Sequence, residues 1–331
     1  LKIIGLAERY PITKDLSDEF LRSVRHLWVR SRKMTLIFEV RSAVFEALRE
    51  FYKQKGYFET QSPSIISSAC EGGSTLFEVK YFDKKAYLTQ SWQLHAEAMI
   101  FALEKVFCIA PSFRAEKSRT KRHLAEYWHH EMETAWMSFE ELLKFEEELI
   151  VFVAQYVLKK CKKQLKELGR DTKDLEQLKA PFIRMRYADA IKKLDKKWGY
   201  DLTDDDERKL VADVGRPIFL THFPREMKAF YMKVEPKDKK TVQAVDLLAP
   251  GIGEITGGSA RIETEKELLE SLKLFKLSPK DYSWYLDLRK FGSVPHAGMG
   301  LGVERLVMWL TGTEHIMDTI PFPRTMDRLT P

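Results

Sequence analysis

Apolar residues recur at helical spacing from Leu36 through Val40, Val44, Leu48 and Phe51/Tyr52, and Gly56 supplies a stop. This pattern predicts a long amphipathic helix. Tyr57 to Thr60 reads as a strand ending near Pro63, and loose alternation from Glu78 to Leu88 around Asp83-Lys84-Lys85 predicts a hairpin. Gln90 to Ala102 is helical in pattern. Val106 to Arg114 is strand-like, with Glu126 to Met137 its expected partner across a charged loop. Ser138 and Glu141 form a capping box that opens a second long helix carrying Leu142, Leu149, Val153 and Val157. Residues 163–240 are rich in Lys, Asp and Glu, with apolar islands at Ile218-Phe219-Leu220 and Phe230-Tyr231-Met232. They read as small helices and strands on the surface of the same domain. Val242 to Leu248 and Ile252 to Ile262 read as strands about a Pro250-Gly251 turn, and the glycine-rich strand Gly298 to Gly302 runs into a helix over Val303 to Leu310. No regular strand–helix–strand alternation appears. This favours an α+β fold with an antiparallel β-sheet flanked by helices over a doubly wound parallel sheet.

Composition sets bounds on this reading. Of 331 residues, 44% are hydrophobic and 31% charged, enough for a large core and too apolar for a disordered chain. The three cysteines, Cys70, Cys108 and Cys161, are far apart, which excludes a disulfide scaffold and a zinc ribbon and suits a reducing, cytoplasmic setting. The longest apolar stretch, Leu149 to Leu158, is too short to span a bilayer, so no membrane partner is expected. The net charge of +6 permits a polyanionic partner without demanding one.

Three constellations carry chemistry. Phe113-Arg114-Ala115-Glu116, the loop Lys117 to Arg122 and His123-Leu124-Ala125-Glu126-Tyr127 place a cationic rim at a strand end, suited to phosphate or, equally, to solvent. Asp246 and Glu254 are symmetric about Pro250. If 249–251 is the turn they are cross-strand neighbours roughly 5 Å apart, either as oxygen ligands for a magnesium ion or as a solvated hairpin end. Strict alternation sets Arg261 on the face opposite Glu254, and a bulge at Gly257-Gly258 would turn it back. Glycines at alternate positions of 298–302 clear a bare face for a flat purine or for tight packing, with Arg305 on the following helix. His123, His129 and His130 near Glu131 lack zinc-ligand spacing, and Asp204 to Glu207 reads as a solvated helix start after Thr203.

Taken in order, Gly56-Tyr57-Phe58-Glu59 with Pro63, Phe113-Arg114-Ala115-Glu116 and Gly300-Leu301-Gly302-Val303-Glu304-Arg305 resemble the three signature motifs of class II aminoacyl-tRNA synthetases. The resemblance extends from about residue 20 to Pro331. Ala69-Cys70-Glu71-Gly72-Gly73, Gln90-Ser91-Trp92-Gln93-Leu94, Arg122-His123-Leu124 and Gly257-Gly258-Ser259 resemble the aspartyl/asparaginyl group. Aspartyl members carry a Lys three residues after the position of Gln93, where this chain has Ala96, and an Asp at the position of Glu131. The chain is therefore most similar to the asparaginyl-tRNA synthetases of archaeal/eukaryotic type.

The resemblance implies a class II catalytic domain over 31–331, with 1–30 as the linker that follows a missing N-terminal OB-fold for the anticodon. It implies ATP and Mg2+, with asparagine, the acceptor end of tRNA(Asn) and a second copy of the chain as partners. Arg114 and Arg305 would be catalytic. ATP would contact Arg114, Glu116, Arg122, His123, Tyr127, Glu254 and Arg305. Asparagine would contact Glu71, Ser91, Gln93, Arg114, Glu131 and Arg261. Asp246 and Glu254 would hold the metal. The alternatives are an ammonia-dependent asparagine synthetase-type paralogue that activates aspartate, an aspartyl-tRNA synthetase, and a synthetase-like binding module without catalysis. The motif arginines and metal carboxylates such modules lose are all present.

Overall fold

The structure, a computed structural model, describes residues 2–70, 75–117 and 120–330. Its helices are α1 Asp18–Ser23, α2 Arg25–Trp28, α3 Arg32–Gln54, α4 Gln93–Leu103, α5 Phe139–Glu167, α6 Lys173–Glu176, α7 Tyr187–Lys193, α8 Asp204–Ala212, α9 Glu265–Leu274, α10 Ser283–Lys290 and α11 Val303–Thr311. Its strands are β1 Phe58–Glu59, β2 Ile65–Ile66, β3 Glu78–Tyr81, β4 Lys84–Leu88, β5 Lys105–Phe113, β6 Glu126–Ala135, β7 Ile183–Arg186, β8 Ile218–Thr221, β9 Ala244–Ala249, β10 Gly253–Ala260 and β11 His296–Gly302.

The long helices start and stop where their end residues dictate. Ser31 accepts the Met34 N–H and opens α3, and Gly56, at φ +74°, follows its end in a conformation that costs a side chain energy. Ser138 and Glu141 cap α5 reciprocally. The two helices pack on each other and under the sheet, joining Val40, Val44, Leu48, Leu149 and Val153 to Met132, Val245 and Met299 from the strands.

The main sheet has eight strands in the order β1-β5-β6-β11-β10-β9-β8-β7. It is antiparallel from β5 to β8, and only its outermost pairs, β1 with β5 and β7 with β8, are parallel. The hairpin of β3 and β4 turns at Phe82-Asp83, one residue earlier than the sequence pattern predicts, and belongs to a separate three-stranded sheet.

Three expectations change. The islands of 163–240 are not superficial, because β7 and β8 extend the main sheet and Ile218, Phe219 and Leu220 are buried. Residues 18–30 pack into the same domain rather than standing off as a linker. Arg25 is fully buried and donates to the carbonyls of Pro321, Met317 and Ile320, and Trp28 joins the core. The β9–β10 pairing slips between Glu254 and Thr256, so Glu254 faces Leu248 and Asp246 faces Gly257. The symmetric pairing about Pro250 is thus replaced by a bulge at Ile255. That extra residue, not one at the glycines, returns Arg261 to the face of Glu254.

Candidate active site

One face of the sheet is polar in its middle. On β6, Tyr127, His129, Glu131 and Glu133 alternate toward a cleft of about 670 Å³, while His130 and Met132 fall between them. β11 runs beside β6 with Gly298 opposite Glu133 and Gly300 opposite Glu131. A methyl group at Gly298 would collide with the Glu133 carboxylate and stand 2.5 Å from the Met132 carbonyl. One at Gly300 would enter the His129 ring. The glycines therefore make room for side chains of the neighbouring strand. Gly302, where the nearest atom is 3.8 Å away on Arg305, is the part of the row left bare.

At one end of the cleft Glu131 accepts from the Ser91 hydroxyl and, at 2.8 Å, from the Trp92 N–H. Arg261 forks onto Glu133 at 3.1 and 2.9 Å, donates to Ser259 at 2.7 Å and lies over the Tyr231 ring. Gln93 lines the same end and donates to Glu97. Ser91 stands behind Glu131 and holds it. Glu71 lies outside the described residues.

At the other end Arg114, a third exposed, leaves the end of β5 beside Glu116 at 3.9 Å and over the face of Tyr127. Arg305 donates to the Glu254 carboxylate and carbonyl, both at 3.0 Å, and sits 3.4 Å from His123. Burial, with the Arg305 charge adding to it, lowers the pKa of His123, so the ring is kept neutral.

Asp246 and Glu254 flank Gly257 on one face: a methyl there would be 3.5 and 3.4 Å from their oxygens. Lys228 clamps Asp246 at 2.6 and 2.8 Å. Burial pushes Asp246 up to about 7 against the pull of Lys228, with Glu254 adding to the rise. Burial acts the same way on Glu254, but Arg305 and Lys228 outweigh it and hold that carboxyl down at about 2. Both groups are hard oxygen donors, the kind that could hold a magnesium ion, and each is paired with a cation, Asp246 with Lys228 and Glu254 with Arg305.

Arg122, expected on ATP, lines the cleft and is bound within the protein. Its guanidinium binds Asp204 at 2.6 Å, Glu207 at 2.7 Å and the Ile252 carbonyl at 2.9 Å. It walls the cleft off from a second groove of about 1330 Å³ lined by Arg170, Asp201 and Trp309. Asp204 and Glu207 are accordingly not merely a solvated helix start, and Glu207 also accepts the Glu254 N–H at 3.0 Å.

The cleft thus gathers Gln93, Arg114, Glu116, Arg122, His123, Tyr127, Glu131, Asp246, Glu254, Arg261 and Arg305 from the sequence reading. It adds His129, Glu133, Lys228 and Tyr231. The first two were visible as period-two polar positions on β6; Lys228 sits in a Lys-rich stretch without a local signal. Among the described residues no helix is long and apolar enough to cross a membrane.

Residues 17–326 match the family described as tRNA synthetases class II (D, K and N). The chain is 47% identical over 328 residues to an asparagine–tRNA ligase of Thermoplasma acidophilum, covering 97% of this chain and 76% of that protein. It is 48% identical to the asparagine–tRNA ligase of Thermococcus kodakarensis, covering 100% and 78%. The crystal structure of asparaginyl-tRNA synthetase from Pyrococcus horikoshii complexed with asparaginyl-adenylate superimposes with a TM-score of 0.97 at 45% identity, covering all of this chain and 78% of that one.

Proposed function

The chain belongs to the class II tRNA synthetases of the D, K and N group and catalyses the asparagine–tRNA ligase reaction, and on that premise we propose that asparagine binds between Gln93, Glu131 and Arg261 while ATP lies along Arg114, Tyr127 and Arg305. The asparagine carboxylate attacks the α-phosphorus, the bond to pyrophosphate breaks, and asparaginyl-adenylate forms. The terminal hydroxyl of tRNA(Asn) then attacks the carbonyl and AMP leaves.

The observation that carries the choice of asparagine is the charge of the side-chain subsite. Glu131 is fixed as an acceptor by Ser91 and Trp92, so it meets the amide N–H of asparagine. Arg261 already has its charge matched by Glu133 and can offer the amide oxygen a donor without leaving a net cation. Ala96 is packed among Trp92, Ile100, Val106 and Cys108 and adds no charge. An aspartate carboxylate would face Glu131 unpaired, which is costly away from water.

Arg114 holds the reacting carboxylate and α-phosphate, and the charge that develops there is stabilised by a donor already in place. Tyr127 and the Gly302 gap receive adenine, whose amino group meets Glu116, and Arg305 and His123 take the outer phosphates. Asp246 and Glu254 are the residues that would hold Mg2+, which would neutralise phosphate charge on the pyrophosphate side. Arg122 serves as an anchor for the loop. Two copies pair across the Gly56 to Pro63 region, where Phe58 on an edge strand is 54% exposed. The reaction belongs to the cytoplasm.

Pyrophosphate exchange measured with each standard amino acid tests the reading. Asparagine is expected to drive exchange, and exchange driven by aspartate instead would overturn it.

A further inference from the structure

Glu97 lies one helical turn past Gln93 on α4 and is fully buried. Its carboxylate accepts from Arg289, from the Tyr285 hydroxyl at 2.7 Å and from His296 Nε2 at 3.0 Å. Its other oxygen accepts from Gln93 Nε2 at 3.0 Å. Glu97, Glu133 and His296 bring ligand atoms within 4.8 Å of one another, near enough for a metal ion. Arg289 and Arg261 already neutralise both carboxylates, however, so the cluster is a closed ion-pair network. Of the groups bonded to Glu97, Gln93 is the one that lines the cleft.

A carboxylate only accepts, so the end of the Gln93 amide that meets Glu97 is its NH2. The two ends of an amide diverge, which leaves the carbonyl oxygen for the cleft. An ammonium only donates and needs that oxygen. We propose that Glu97 is a positioning residue for asparagine: by holding the NH2 end of Gln93 it keeps the Gln93 carbonyl oxygen turned to the α-ammonium of the substrate. Glu97 acts through Gln93 and touches no substrate itself, and the inference rests on the reading of Gln93 as an asparagine contact. A glutamine at 97 removes the selection. With Arg289 and Tyr285 taking its oxygen, its own NH2 faces Gln93, and Gln93 turns its NH2 toward the ammonium.

The test is Glu97→Gln in the full chain, read by pyrophosphate exchange. KM for asparagine is expected to rise about 10- to 100-fold, the loss of one charge-assisted hydrogen bond. KM for ATP and inhibition by succinamate, which is asparagine without its α-amino group, are expected to stay unchanged. A variant that loses succinamate and ATP along with asparagine would show a structural role and overturn the proposal, as would an unchanged KM for asparagine. Gln93→Ala separates the two layers. If it leaves the asparagine KM unchanged, the reading of Gln93 itself fails. If it raises that KM while Glu97→Gln does not, the role of Glu97 alone fails. Should Glu97→Gln not fold, Glu97→Asp keeps the charge for Arg289 and withdraws the oxygen from Gln93 by about one bond length. The same rise in asparagine KM with unchanged succinamate inhibition is then expected, and its absence refutes the proposal.

Discussion

Cys108 pairs across the strands with Glu131 and touches the apolar cluster that encloses Ala96. A lysine at 96 has the reach to place its ammonium near Glu131 and supply the missing cation. We expect Ala96→Lys to shift the asparagine-to-aspartate ratio of kcat/KM in exchange toward aspartate by at least about tenfold, one well-placed ion pair. An unchanged ratio would show that Glu131 is not the discriminating group. Arg114 is partly exposed and lies over Tyr127, so its removal costs little packing. Arg114→Ala should therefore lower exchange by about a hundredfold or more while melting near the parent temperature. Arg114, Glu116 and Arg305 were legible because each stands in a motif with fixed neighbours. Glu97 and Lys228 were not, and Glu133 showed only as an alternating polar position, because the role of each depends on a partner elsewhere in the sequence: Arg289, Asp246 and Arg261.

Elements behave as their local signals direct, and their ends can be tested singly. Replacing Ser138 by Ala removes an acceptor for the Glu141 N–H and should cost about 1 kcal/mol in urea unfolding, since α5 packs through most of the core. The glycine row of β11 is a stricter case. At Gly298 a methyl group meets the Met132 carbonyl at 2.5 Å, and that atom belongs to a neighbouring strand on the same ladder. Gly298→Ala should lower both melting temperature and exchange, whereas Gly302→Ala, whose methyl meets nothing nearer than 3.8 Å, should affect ATP binding with little loss of stability. The bulge at Ile255 could not be located from spacing. The register of β9 with β10 answers to what each strand pairs with on its other side, β8 and β11.

Across the whole molecule, two of the buried titratable groups, Glu146 and His130, have opposite consequences for stability. Burial raises Glu146 from 4.5 to about 8, against the Thr256 hydroxyl it accepts, and Asp246 adds to the rise. The stability this protonated group contributes is fully present below pH 4.5 and is lost as pH rises through about 8. Burial lowers His130 from 6.5 to about 3, so its contribution is present above pH 6.5 and is lost as pH falls through about 3. The two slopes offset each other between pH 4.5 and 6.5, so stability should decline on both sides of that mildly acidic window. Glu146→Gln should flatten the alkaline limb only, which melts at pH 6 and pH 9 would show; an unaltered limb would mean that Glu146 is not its source.

By itself the sequence determined the long helices, the β5–β6 pair, the glycine strand and the two motif arginines that line the cleft, Arg114 and Arg305, because caps, periodicity and motif order are local. Only the tertiary structure decided that 18–30 pack into the domain and that 183–186 and 218–221 extend its main sheet. It alone showed that Arg122 is anchored and that Arg261 shares a face with Glu254. Each of these depends on which distant group neutralises a buried charge or fills a strand's free edge, and no spacing along one chain records that choice.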